Sequence, residues 1–167
     1  MHSETISHIP SPASNSKSTH SSAPLKSIHS NSVSLLSTRD KIHAIEAEMK
    51  KLPQVQCPLR HYFSIGLYAR EVTIPEGALV TGVTYKYPQI NILSKGRMRV
   101  LIEDDIHEIE APYTVVSDRG IKRIAFAITE CVWTTILQTF ETNIDIIEQQ
   151  FFAYSEQEYQ DFLKCQA

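Results

Sequence analysis

Histidine and carboxylate side chains, the groups that most often hold metals or move protons, are scattered along this 167-residue chain. Beyond the first 37 residues the histidines are His43, His61 and His107, which fall in three separate predicted elements. The acidic pair Asp104-Asp105 stands between two apolar runs, where a solvated hairpin turn is expected. Neither pattern is typical of a metal triad or of a paired acid and base. We therefore expect no metal and no cofactor.

Nucleophile and phosphate-binding motifs are also missing. The sequence contains no G-x-S-x-G, H-E-x-x-H, G-x-x-x-x-G-K-[ST] or G-x-G-x-x-G. Cys57, Cys131 and Cys165 show neither a disulfide framework nor CxxC spacing, which is typical of a reducing compartment. Cys131 begins an apolar run and is interpreted as a small buried core residue, unless its neighbours in space activate it. The sequence predicts no catalytic residue.

The charge balance argues against a nucleic-acid partner. With 16 basic and 19 acidic residues, the chain has no excess of cations to neutralise phosphates. Lys95, Arg97 and Arg99 alternate along one predicted strand and form either a local basic strip or, the interpretation we favour, a solvated face. No run of 18 apolar residues occurs, and the first 30 residues are polar. Neither a membrane span nor secretion through a signal peptide is expected.

The first 37 residues differ in composition from the rest, because they contain 13 serines. Such a segment buries too little apolar area to offset its ordering entropy, so residues 1–37 are predicted to form a disordered or extended arm. Its few aliphatic side chains are spaced as an extended chain would need to fill successive grooves of a partner. The alternative is a tail whose aliphatic residues have no partner. The candidate anchors are Ile6, Ile9, Leu25, Ile28, Leu35 and Leu36.

Residues 38–53 are predicted to form an amphipathic helix. Ser37 and Asp40 have the spacing of a capping box, and Pro53 ends the helical pattern. One face of this helix needs a partner surface. That face comprises Ile42, Ile45, Met49 and Leu52.

Residues 141–167 are predicted to form two C-terminal helices. Thr142 with Asp145 resembles the cap of the first, and Ser155 with Glu158 resembles the cap of the second. The apolar residues of the first helix share one face. They are Ile144, Ile147 and Phe151.

Residues 57–140 alternate between apolar and polar positions in short runs that turn signals interrupt about every ten residues. With no helical pattern between these runs, the fold class is mainly β, an antiparallel sandwich or barrel. The predicted strands are 61–64, 67–74, 78–84, 90–94, 97–103, 106–110, 113–117, 122–128 and 131–138.

The spacing of Gly77, Val83, Tyr85, Gln89 and Gly96 resembles the first motif of the cupin family, G-x5-H-x-H-x3-E-x6-G. The second motif, G-x5-P-x-G-x2-H-x3-N, maps onto Pro112, Asp118, Gly120, Arg123 and Ala127. This resemblance implies a jelly-roll barrel whose metal-ligand positions hold no histidine or carboxylate. It also implies that Tyr85, Gln89 and Arg123 point inward together, and an arginine beside an amide and a phenol would suit a small anion. In the alternative interpretation, Arg123 pairs with an internal carboxylate or points outward.

Four ordered stretches resemble small cupin-like proteins of tailed bacteriophages. They are residues 74–82, 91–97, 110–112 and 132–135. The resemblance implies a virion-associated structural or assembly component, located in the virion or the host cytoplasm. Its arm would contact neighbouring copies in a homo-oligomer and other virion proteins. The alternative is a metal-independent sensor or binder of small anions that uses the barrel mouth. A cupin-type enzyme requires metal ligands from outside the mapped positions.

Overall fold

The computed structural model describes residues 37–102 and 104–166, together with the backbone of residues 5–8. Of the candidate anchors, Ile6 lies in the strand Thr5–His8, and Ile9, Leu25, Ile28, Leu35 and Leu36 lie outside the described residues. The helices are α1 (Thr38–Met49), α2 (Ile144–Phe151) and α3 (Glu156–Gln166). The strands are β1 (Thr5–His8), β2 (Leu59–Ser64), β3 (Leu67–Ile74), β4 (Ala78–Thr81), β5 (Thr84–Tyr85), β6 (Gln89–Lys95), β7 (Arg97–Ile102), β8 (Asp105–Glu110), β9 (Tyr113–Ser117), β10 (Ile124–Ala127), β11 (Cys131–Gln138) and β12 (Phe152–Ala153).

Two five-stranded antiparallel sheets form the body of the protein. Their strand orders are β1-β4-β10-β7-β8 and β2-β3-β11-β6-β9. Apart from the β2–β3 and β7–β8 hairpins, the chain crosses from one sheet to the other at nearly every connection. Outside those hairpins, successive strands therefore belong to different sheets. The predicted fold class, a mainly antiparallel jelly-roll barrel flanked by helices, is confirmed.

The main core lies between the two sheets. Alternating residues of β3, such as Val72 and Ile74, point inward and meet Val80 and Met98 of the opposite sheet. The period of two along each strand places every second side chain in this core. The barrel interior is therefore largely apolar, and any polar group within it needs a partner.

The capping box of α1 forms as predicted. The Ser37 hydroxyl accepts from the Asp40 backbone N–H, and the Asp40 carboxylate accepts from the Ser37 backbone N–H at 3.2 Å. The predicted apolar face is wrong in part, because Ile45 and Leu52 are exposed. The face that packs on the barrel instead consists of Ile42, Glu46 and Met49, at positions i, i+4 and i+7 of the helix.

The N-cap of the first C-terminal helix, α2, lies one residue later than predicted. Asn143, not Thr142, is the N-cap, and its side-chain oxygen accepts from the backbone N–H groups of Asp145 and Ile146. At the start of α3, the Ser155 hydroxyl accepts from the Glu158 backbone N–H, as predicted. None of the helices that the structure describes has the length and apolar character needed to cross a bilayer.

Two predicted strands are shorter than expected. The predicted strand 78–84 is interrupted, because β4 ends at Thr81 and β5 pairs with β12 rather than continuing in the sheet. The predicted strand 122–128 begins only at Ile124. Arg123 consequently stands in the loop before β10, where it is free of the alternation that strand geometry imposes.

Candidate functional site

A cavity of about 80 Å³ lies between the two sheets. Strands β4, β7 and β10 contribute apolar side chains from one sheet, among them Met98 and Val100. Strands β3, β6 and β11 contribute a more polar set from the other sheet. That set includes Arg70, Gln89, Asn91, Trp133 and Thr135.

All three residues of the predicted pocket line this cavity. Tyr85 lies in β5, Gln89 begins β6, and Arg123 stands just before β10. The Gly120 backbone N–H donates to the Tyr85 carbonyl at 2.8 Å, which ties the loop that carries Arg123 to β5. Neither alternative for Arg123 holds among the described residues, since it faces the cavity and no carboxylate pairs with it.

The charge of Arg123 is only partly compensated by its surroundings. Burial lowers the pKa of the guanidinium, and Tyr113 acts in the opposite direction. An arginine stays protonated at neutral pH even so. The cavity therefore holds a cation that has lost part of its hydration without gaining an anionic partner from the described residues.

The side-chain oxygen of Gln89 is a second polar group of the cavity, after Arg123, that lacks a partner among the described residues. Its side chain is 4% exposed, and its Oε1 atom is buried without a hydrogen-bond partner among the described residues. An unpaired buried amide oxygen costs about 1–3 kcal/mol, so most such groups in folded proteins have a partner. The unfilled position on Gln89 lies in the same cavity as Arg123.

Other polar residues of the cavity are already engaged with each other. The Thr135 hydroxyl donates to Asn91 Oδ1 at 2.7 Å, and Asn91 Nδ2 donates to Ser117 Oγ at 2.7 Å. These bonds join β11, β6 and β9 across the inner face of one sheet. They hold the wall of the cavity rather than leave groups open to a ligand.

Arg70 is a charged residue of the cavity that the sequence did not predict. It is 3% exposed, and its Nη1 donates to Glu148 Oε1 of α2 at 2.9 Å. Glu148 Oε2 accepts from the Tyr154 hydroxyl at 3.1 Å. The alternation of β3 would have placed Arg70 on the inner face, between Tyr68 and Val72, but no local signal points to Glu148.

The donor set of the cavity does not suit a divalent metal. Its lining contains two guanidiniums and no imidazole, thiol or carboxylate. Metal sites in proteins need several such donors converging on the ion, and a fixed positive charge opposes them. The described residues also contain no cluster of three or more His, Cys, Asp or Glu side chains. We derive no metal chemistry for this cavity.

The scattered histidines and Cys131 lie outside the cavity lining. His61 Nδ1 lies 2.8 Å from the Tyr68 hydroxyl, and burial lowers the pKa of this imidazole. Cys131 is fully buried, its thiol lies within hydrogen-bond distance of the Arg97 and Thr129 carbonyls, and burial raises its pKa. A buried thiol with a raised pKa is a poor nucleophile.

The remaining charged candidates form surface ion pairs. Asp104 accepts from Lys41 and Thr38 of α1, which attaches the β7–β8 turn to the helix. Lys95 pairs with Glu130 at 2.7 Å, while Arg97 and Arg99 lie 3.5 and 3.3 Å from Glu108. The basic residues of this predicted solvated face thus lie beside acidic side chains of neighbouring segments.

No protein-family model and no curated protein sequence matches this chain. Solved structures of similar architecture include KdgF from a Halomonas species, at 16% identity and a TM-score of 0.45 over 56% of this chain and 88% of that one. A cupin-2 domain protein from Shewanella frigidimarina matches at 14% identity and a TM-score of 0.42 over 57% of this chain and 92% of that one. An RmlC-like cupin family protein with a double-stranded β-helix fold, from Methanocaldococcus jannaschii, matches at 13% identity and a TM-score of 0.42 over 51% and 82% of the two chains. Likenesses at this level concern architecture alone and assign no ligand or reaction.

Proposed function

We propose that this protein binds a small anionic molecule in its barrel cavity without a metal ion. One observation carries the proposal: Arg123 lines a largely apolar cavity and has no carboxylate partner among the described residues. A cation in such surroundings is stabilised by an anion, because the attraction between charges is stronger in a medium of low dielectric constant.

The two guanidiniums of the cavity differ in whether a carboxylate balances their charge. Arg70 is already paired with Glu148, so its charge is balanced within the protein. Arg123 then contributes one uncompensated positive charge. Its planar fork of N–H donors matches the two oxygens of a carboxylate.

Binding rather than catalysis follows from the groups that are present. The cavity lining includes no histidine, cysteine, aspartate or glutamate that could act as a general base or a nucleophile. A tyrosine, an amide and an arginine can hold and orient a ligand. They supply no ready site for proton removal at neutral pH.

We expect the Arg123→Gln variant to bind butyrate at least about tenfold more weakly than the wild type, because a charge-assisted hydrogen bond is lost. The measurement is an NMR titration of the labelled protein with butyrate. Arg119→Gln is the matched control, since Arg119 is exposed and does not line the cavity. Equal binding by Arg123→Gln and the wild type, or no binding by the wild type at millimolar butyrate, would contradict the proposal.

A virion-associated structural role, in a phage particle, is a second candidate. The observation that favours it is the position of β1, which pairs antiparallel with β4 at the edge of a sheet. The register places Thr5 opposite Thr81 and His8 opposite Ala78. A sheet edge that accepts a segment of the arm could equally accept that segment from a neighbouring copy.

For this second candidate, deletion of residues 1–36 is expected to convert an oligomer into a monomer and to prevent incorporation into particles. The deletion removes β1 and all six candidate anchors while leaving the α1 capping box intact. Sedimentation of the purified chains and the protein content of purified particles provide the two measurements. A truncated chain that enters particles at full occupancy would exclude the assembly role.

A further inference from the structure

Two polar groups of the cavity carry the inference: the Arg123 guanidinium has no carboxylate partner, and Gln89 Oε1 has no hydrogen-bond partner, among the described residues. The Asn91 and Thr135 side chains bond to each other and to Ser117, and Arg70 is bound to Glu148. A ligand that fills the cavity must therefore satisfy one cation and one amide. Most of the remaining lining is apolar, so each further polar group on the ligand would lose hydrogen bonds to water.

The Gln89 amide is best paired by a group that can both donate and accept a hydrogen bond. Its Oε1 has no partner, and the described residues give its Nε2 none either. A hydroxyl group supplies a donor and an acceptor at one atom, so it fits whichever way the amide is turned. A simple alkyl carboxylate would satisfy Arg123 and leave this amide unpaired.

The apolar residues of the lining favour an aliphatic ligand, and the cavity volume limits its length. Val72, Val80, Met98, Val100 and Trp133 line the cavity between its polar residues. The volume of about 80 Å³ corresponds to about five to eight water-sized positions. A ligand with a carboxylate, one hydroxyl and a chain of about four carbons has this size.

The charge and the polarity of the lining disfavour two related classes of ligand. An amino acid would bring an ammonium group beside two guanidiniums, with no carboxylate in the lining to receive it. A sugar acid would bring several hydroxyls into a largely apolar cavity, where most of them would lose their hydrogen bonds to water.

We infer that the ligand is a short aliphatic hydroxycarboxylate, whose carboxylate pairs with Arg123 and whose hydroxyl bonds to Gln89. This inference rests on the proposed anion-binding function. It adds a discrimination that anion binding alone does not require, namely a preference for a hydroxy acid over the plain acid of equal chain length.

The test compares butyrate with 2-hydroxybutyrate and 3-hydroxybutyrate by NMR titration of the full chain. At least one hydroxy acid should bind the wild type about three- to tenfold more tightly than butyrate, the gain of one satisfied hydrogen bond. In Gln89→Met, whose side chain is similar in length but lacks the amide, this preference should disappear. Gln150→Met is the matched control, because Gln150 is exposed on α2 and outside the cavity lining.

The outcomes separate the two proposals. If butyrate binds through Arg123 but neither hydroxy acid binds more tightly, Gln89 is satisfied by water, and the hydroxy-acid inference is overturned while anion binding stands. A preference that persists in Gln89→Met also overturns the inference, because the hydroxyl then bonds elsewhere. If none of the three acids binds at millimolar concentration, the proposed function itself fails.

Discussion

Lys122→Met is expected to lower the free energy of unfolding by about 3–5 kcal/mol, because it leaves the carboxylate of Glu46 buried without its partner. Lys122 Nζ lies 3.0 Å from Glu46 Oε2, and the two side chains are 4% and 12% exposed. This pair is a buried electrostatic contact between α1 and the barrel. Its loss should weaken the attachment of the helix as well as the global fold.

The hydrogen bonds around the pair show how tightly it is held. Lys122 Nζ also donates to the Gly82 carbonyl at 3.1 Å, and Glu46 Oε1 accepts from the Thr81 hydroxyl at 3.1 Å. Burial opposes the charge on Glu46, but Lys122, Lys50 and Thr81 together more than offset it, so the pKa of Glu46 lies below its ordinary value. The pKa of Lys122 is lowered, because burial outweighs the attraction of Glu46.

Urea unfolding followed by circular dichroism measures the effect of Lys122→Met. The matched control is Lys51→Met, which removes the exposed pair between Lys51 and Glu48, 2.7 Å apart. An exposed pair contributes at most about 1 kcal/mol, so this control should unfold close to the wild type. The double variant Lys122→Met/Glu46→Leu should recover most of the loss. Similar midpoints for both single variants would show that the buried pair contributes little.

The sequence predicted most of the barrel strands between residues 61 and 138, but it did not predict β1, β12 or this ion pair. Lys122 was placed inside a strand, and Glu46 appeared as a polar residue of an amphipathic helix. Their pairing depends on how α1 packs on the barrel, and the periodicity that predicts a helix says nothing of its rotation against a sheet. Charged residues are seldom fully buried, so local pattern favours exposing Glu46 and burying Ile45 instead.

For the candidate site as well, the sequence predicted some of the residues and missed others. The resemblance to the cupin motifs implied that Tyr85, Gln89 and Arg123 share one cavity, and all three line it. The resemblance could not supply Glu148, which is 78 positions away from Arg70 in the sequence. Contacts between a strand and a distant helix depend on the assembled fold, and a single sequence carries no signal for them.

Gly96→Ala is expected to lower the free energy of unfolding by about 2–4 kcal/mol, through backbone strain and overpacking together. Gly96 joins β6 to β7 with a φ of +88°, in the left-handed region that favours glycine. A Cβ atom there would overlap the carbonyl oxygen of Glu130 and lie 2.8 Å from Cys131 Sγ. The turn cannot shift easily, because the backbone carbonyl of Arg97 accepts a hydrogen bond from the Ile128 backbone N–H at 2.8 Å.

Gly82→Ala provides the matched control for Gly96→Ala. Nothing lies within 4 Å of the position that a Cβ would take at Gly82, and its φ is not in the left-handed region. The control should therefore change the unfolding midpoint little, whereas Gly96→Ala should shift it to clearly lower urea concentration. Because the clash at Gly96 involves main-chain atoms, repacking of side chains cannot relieve it. Equal midpoints for the two variants would mean that the β6–β7 turn and the strand at Cys131 lie farther apart than the structure places them.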